Sequence, residues 1–211
     1  SKRTAPDMRS LFRTIAAVAG IGLAMTLAAC SDDTVGHDAV AIGGTFEFVS
    51  PGGQTVIEYA PEDRAPVADV YGESLMDEGE EIRLADFEGE MVVLNAWGQW
   101  CAPCRSESDD LQIVHEKMQD AGLGTILGIN VRDHVISAPR DFVEDNGLTY
   151  PSIYDPPFVN AAALGGIPAS VIPTTIILDR EHRPAMVFLK EIDESELWEA
   201  VEKVAAEDGA A

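Results

Sequence analysis

Apolar residues run unbroken over Met91-Val92-Val93-Leu94 and then recur at helical spacing as Leu111, Val114 and Met118. That pattern predicts a short buried strand passing into a helix, with the turn at Cys101. The helix is expected from about Ala102 to Asp120, stopped by Gly122. Around this unit, Glu80 to Leu84 reads as a strand, Ala85-Asp86-Phe87 as a turn of helix and Thr125 to Val131 as an apolar strand. Ala138 to Asn146 reads as a helix with Ser137 as N-cap, Pro139 in its first turn and Gly147 as stop. Tyr150 to Tyr154 suggests a short strand and Val159 to Leu164 a short helix. Thr174 to Leu178 and Pro184 to Leu189 are β-rich and flank a charged turn, so a hairpin is expected. Asp193-Glu194-Ser195-Glu196 has the form of a capping box ahead of a last helix, whose buried stripe is Leu197, Val201 and Val204. Upstream, Thr45 to Tyr59 alternates as Phe46, Phe48, Val56 and Tyr59 around Pro51-Gly52-Gly53, which predicts a β-hairpin. The order of elements is α/β with a mixed central sheet flanked by helices.

The first thirty residues follow another rule. Arg9 and Arg13 precede an apolar run from Ile15 to Ala29, too short for a comfortable membrane span, and the pattern is that of an export signal. Its end, Leu27-Ala28-Ala29-Cys30, resembles a bacterial lipobox, which would make Cys30 a lipid anchor and not a redox group. A plain secretory signal or an uncleaved helix is the alternative. The expected domains are residues 1–30 as lipoprotein signal, 31–64 as flexible tether and hairpin, and 65–211 as the globular domain.

Charge alters the picture modestly. The 211 residues hold 14 Lys and Arg against 37 Asp and Glu, a net −23. Residues 1–29 contain Lys2, Arg3, Arg9 and Arg13 against Asp7, so the remainder carries −26. Such a body disfavours nucleic acid and anionic lipid and favours basic partners. No structural disulfide framework is possible, since Cys30 stands alone and Cys101 and Cys104 form a pair.

That pair carries the chemistry. A thiolate at a helix N-terminus faces unpaired N–H groups, which lowers its pKa and leaves a nucleophile near neutral pH. Cys101 is thus expected to attack. Cys104, one turn inside on the same side, is expected to close a small disulfide with it and release a bound partner. Pro103 suits the first turn, where a missing N–H costs nothing. Half a zinc site is the rival reading, but no second Cys pair is present, and His37, His115, His134 and His182 are scattered. Arg105 stands where haem attachment would need His.

The stretch from Leu94 to Glu107, Leu-Asn-x-Trp-Gly-x-Trp-Cys-x-Pro-Cys-Arg-x-Glu, resembles the thioredoxin superfamily and within it the exported, membrane-tethered TlpA/ResA-type branch. The likeness extends from about Ala65 to Ala205. It implies a thioredoxin fold with an N-terminal hairpin extension and a family-type insert near residues 132–165. It implies thiol–disulfide exchange without a cofactor or metal, exported proteins with cysteines as substrates, apocytochrome c among them, and a membrane electron-transfer protein as redox partner. Asn95 occupies the place where cytoplasmic thioredoxins carry a titrating aspartate, so acid–base duty shifts toward Glu107, which shares a helical face with Cys104. A solvated first-turn acid is the plainer reading of Glu107. Ile172-Pro173-Thr174-Thr175 resembles the family's cis-proline loop, which sets a backbone edge opposite the sulfurs. Trp100 is expected to shield the disulfide and line the groove with Pro103, Ile172 and Pro173, whereas Trp97 reads as core. Asp109 stands where many relatives have a helix-kinking proline. A peroxiredoxin-like peroxidase and a Sco-type copper chaperone are the rival functions on the same fold. The expected location is outside the cytoplasm, at the membrane.

Overall fold

The structure is a computed structural model that describes residues 44–208. Cys30 and the lipobox lie outside the described residues. Among those residues no helix is long and apolar enough to cross a membrane.

The strands are β1 (Val56–Glu58), β2 (Tyr71–Ser74), β3 (Glu81–Arg83), β4 (Met91–Trp97), β5 (Gly124–Asn130), β6 (Ser152–Tyr154), β7 (Thr174–Leu178) and β8 (Pro184–Phe188). The helices are α1 (Ala102–Asp120), α2 (Ser137–Asp145), α3 (Asn160–Ala163) and α4 (Glu194–Asp208). One sheet holds all the strands in the order β1-β8-β7-β4-β5-β6-β2-β3. At its centre β4 pairs in parallel with β5, which α1 connects to it, and antiparallel with β7. This is the mixed sheet of the thioredoxin fold.

Side chains alternate across a strand, and β4 is buried on both faces. Met91, Val93 and Trp97 share a core with Leu111, Val114 and Met118 of α1 and Leu197 and Val201 of α4. Val92, Leu94 and Ala96 meet Ile176 and Val187 in a second core, together with Phe46 and Tyr59 from the N-terminal segment. Asn95 falls on the α1 side, a polar residue in an otherwise apolar strand.

The expected N-terminal hairpin does not form. Phe46 and Tyr59 do meet, ring centroids 5.3 Å apart and edge to face, as hairpin neighbours would. Their backbones go elsewhere: the Phe46 N–H donates to Pro66 O and the Phe48 N–H to Gly165 O, while β1 pairs with β8. Gly165 makes this docking possible, because a Cβ there would strike Phe48 N and Phe46 O. The hairpin that does form is β2–β3, at the opposite edge of the sheet, whose first strand the hydrophobic pattern did not reveal. Residues 60–66 bury Arg64 against Asp179 at 3.6 Å and Glu207 at 2.6 Å. Segment 44–64 thus contributes an edge strand and a buried guanidinium to the same sheet and core as the residues after it.

Two cap expectations also change. Ser137 is the first residue of α2 and not its cap, since Ile136 before it is already in the helical region. Asp193 caps α4 by accepting the Glu196 N–H at 2.9 Å, but the Glu196 carboxylate turns to Lys190 at 2.6 Å instead of closing the box.

Candidate active site

The turn between β4 and α1 places Cys101 as N-cap of α1 in extended conformation, its sulfur accepting the Cys104 N–H at 3.3 Å. Pro103 sits in the first turn, where helix geometry leaves its position without an N–H partner. Cys101 and Cys104 form a disulfide, Cα atoms 5.3 Å apart, and both residues are buried. Opposite them the Ile172–Pro173 bond is cis, and the Ile172 carbonyl oxygen lies 3.7 Å from Cys101 Sγ. The sulfur and this backbone edge therefore face one another across the mouth of the site.

Trp100 remains 43 % exposed, its indole N–H donating to Val131 O at 2.9 Å, so its ring forms the apolar rim. Trp97 is core, as expected, stacked obliquely on Phe142 at 5.8 Å. The Gln99 N–H donates to Asp133 Oδ2 at 2.8 Å, and Arg105 reaches back to Gln99 O at 2.7 Å. These bonds hold the loop before the sulfurs from two sides. Helix α1 continues through Asp109 without interruption.

Glu107 lies deeper than the sequence suggested, at 1 % exposure. Its Oε1 accepts from Asn95 Nδ2 at 2.9 Å and its Oε2 from the Ile192 N–H at 3.1 Å. Asn95 Nδ2 also donates to Thr175 Oγ1 at 3.1 Å, linking β4 to the strand that follows Pro173. Burial pushes the Glu107 carboxyl up to about 7, against the opposing pull of the Asn95 and Ile192 donors. A carboxyl poised near neutrality, one helical turn from Cys104, can give or accept a proton as a thiol titrates. It is not a solvated first-turn acid.

The structure thus gathers Cys101, Cys104, Trp100, Pro103, Ile172, Pro173 and Glu107 at one end of β4. Sequence reasoning did not anticipate Ile192, Arg132 or Asp133 there, nor the bond from Asn95 to Thr175. A polar Asn95 inside an apolar strand was the one local signal of the buried pair. Among the described residues no group of three or more His, Cys, Asp or Glu side chains is arranged to hold a metal ion.

The sequence model of the AhpC/TSA family matches residues 61–183. The thiol-disulfide oxidoreductase ResA of Geobacillus thermodenitrificans is 30 % identical over 129 residues, covering 60 % of this chain and 70 % of that one. Among solved structures, a DsbF homologue from Corynebacterium diphtheriae is 59 % identical with a TM-score of 0.72, covering 76 % of this chain and 99 % of its own. A secreted thiol-disulfide isomerase from Corynebacterium glutamicum is 60 % identical with a TM-score of 0.75, covering 77 % of this chain and 98 % of its own.

Proposed function

The chain belongs to the AhpC/TSA family as a thioredoxin-like thiol–disulfide oxidoreductase, and from that premise we propose that it exchanges its Cys101–Cys104 disulfide with cysteines of exported proteins outside the cytoplasm. The observation that carries this reading is the closed disulfide at the tip of α1, facing the Ile172 carbonyl across the mouth.

In the oxidised protein a substrate thiolate attacks Cys101 Sγ. A substrate–Cys101 disulfide forms, the Cys101–Cys104 bond breaks, and its electron pair leaves on Cys104. Glu107 supplies the proton that neutralises the Cys104 thiolate. A second substrate thiolate then displaces Cys101, so that the substrate leaves oxidised and the enzyme dithiol reduced. The reverse sequence reduces a substrate disulfide, and the potential of the pair relative to its partners sets the direction. The carbonyl edge at Ile172, with Pro173 behind it, receives the substrate backbone in extended form, and Trp100 and Pro103 provide apolar contact.

The location rests on the export-type N-terminus and on a relative described as secreted. Cys30 would anchor the chain by lipid, a membrane electron-transfer protein would reset the dithiol, and apocytochrome c is a candidate among the exported substrates. The anchor follows from the lipobox-like ending at Cys30, the redox partner and apocytochrome c from the sequence resemblance to the ResA branch.

The test is trapping. With Cys104→Ser, the Cys101 thiolate has no resolving partner, so when it attacks a disulfide-bonded test peptide one peptide sulfur leaves as thiolate and the other stays on Cys101, and this mixed disulfide accumulates on non-reducing gels. Cys101→Ser forms far less. Equal trapping by both variants, or none by either with the native protein inert, rejects the assignment.

A further inference from the structure

Two exposed arginines stand at the rim of the site against backbone carbonyls, whereas six other described cations lie against carboxylates. Arg64, Arg83, Lys117, Arg183, Lys190 and Lys203 each lie against a carboxylate. Arg105 and Arg132 are exposed and bond only to backbone carbonyls, of Gln99 and Ala169 respectively. Arg140 on α2 likewise holds a carbonyl, that of Leu75, but is partly buried. In a body of net −26 carboxylates are plentiful, so two exposed guanidiniums left unpaired at one place are informative.

Their placement is built. Arg132 adopts φ 59, a left-handed conformation uncommon for a residue with a side chain, with its N–H on Pro156 O. Its guanidinium lies 5.4 Å from the Trp100 ring centroid and reaches the loop that leads to Ile172. Arg105 rises from the first turn of α1, its own N–H on Cys101 O. One guanidinium therefore lies beside Trp100 and the other against the Gln99 carbonyl, in the loop just before Cys101, each bound at one edge with N–H groups to spare. Asp133, next to Arg132 in sequence, is buried and already accepts from Gln99 and Asn130, and Asp109 one turn along α1 from Arg105 makes no ion pair with it.

We propose that Arg105 and Arg132 form an anion-reading subsite that favours substrate cysteines with an acidic side chain adjacent in sequence. This rests on the exchange reading above and narrows it. Over long range the acidic body favours basic proteins, whereas at the sulfurs a local pair of guanidiniums favours a carboxylate within contact distance. Substrates meeting both demands are basic proteins whose reactive cysteine has an acidic neighbour.

The test uses oxidised full-length protein and two isomeric peptide thiols of equal net charge. One places Asp next to Cys; the other moves it about eight residues away, well beyond a Debye length of roughly 10 Å at 0.1 M salt. Isomers cancel the repulsion due to the body. Each rate of mixed-disulfide formation is divided by the same peptide's rate with a small neutral disulfide, because a neighbouring Asp also raises the peptide thiol pKa. The adjacent isomer is expected to react faster by about threefold to fivefold, the range one or two exposed ion pairs supply. In the double variant Arg105→Gln/Arg132→Gln the ratio falls to near one, and because it is taken within one preparation, incomplete folding does not alter it. A native ratio of one or below, or a ratio unchanged in the double variant, overturns the subsite while the exchange reading stands. Equal slowing of both isomers by the variant assigns the arginines to thiol activation and overturns it as well. If neither isomer reacts, the exchange reading falls and the subsite with it.

Discussion

The Asn95 side-chain amide donates to the Glu107 carboxylate at 2.9 Å in the middle of the fold, so a central strand and the active-site helix are joined by a polar contact inside the core. The contact matters because a buried charge without donors is costly, and here Asn95 and the Ile192 N–H offset only part of that cost. The acid is left titrating near neutrality.

The first prediction concerns pH. Glu107 has its folded pKa raised to about 7, so between its ordinary value and 7 the folded state binds the proton more firmly than the unfolded state. Stability contributed by the protonated acid is complete at low pH and is lost as pH rises through that window, by about 3 kcal/mol in all. Urea denaturation at several pH values between 5 and 8 should show this fall in the native protein and a much flatter profile in Glu107→Gln. Parallel profiles would mean that the acid is not perturbed.

A second prediction separates buried from exposed ion pairs. Arg64 is almost wholly buried between Asp179 and Glu207, with Nε on Tyr59 O at 3.0 Å. Arg64→Met leaves the buried Asp179 with Arg183 as its one cation among the described residues, besides the Glu181 and Arg183 backbone N–H groups, and should cost about 3 kcal/mol. Lys203→Met breaks the exposed pair with Glu58 and should cost less than about 1 kcal/mol. Equilibrium unfolding of the two variants side by side checks the ranking.

The third tests how the N-terminal segment docks. Gly165 and Gly166 both have positive φ, 72 and 76, so alanine at either is strained by roughly 1 kcal/mol. Only at Gly165 would the new Cβ also meet the backbone of Phe46 and Phe48, while the space at Gly166 is open. Gly165→Ala should therefore lose more stability than Gly166→Ala and admit proteolysis near Phe46. Equal losses would show that the segment does not press on that glycine.

The strand–turn–helix at the site was legible because its signals are local. The Met91–Leu94 run, the helical recurrence of Leu111, Val114 and Met118, and the three-residue spacing of the cysteines lie within a few turns of chain, and covalent geometry holds them together. The expected Ile172–Pro173 position likewise came from a short motif ahead of a β-rich run. The hairpin at residues 45–59 failed for the opposite reason. Alternation of Phe46, Phe48, Val56 and Tyr59 reports which face is buried, not which backbone accepts the hydrogen bonds, and β8 and Gly165 offered partners far along the chain.

What the amino-acid order settled unaided was therefore the redox pair, the helix it caps, and the apolar runs of the central strands, each fixed by neighbours in sequence. Folding alone decided that Glu107 would meet Asn95 and Ile192, that Arg64 would be buried, and that Arg132 would lie beside Trp100. Backbone donors and acceptors are alike at nearly every residue, and a charge shows no sign in sequence of being buried. Which ones pair becomes definite only when strands and helices distant along the chain close on a common core.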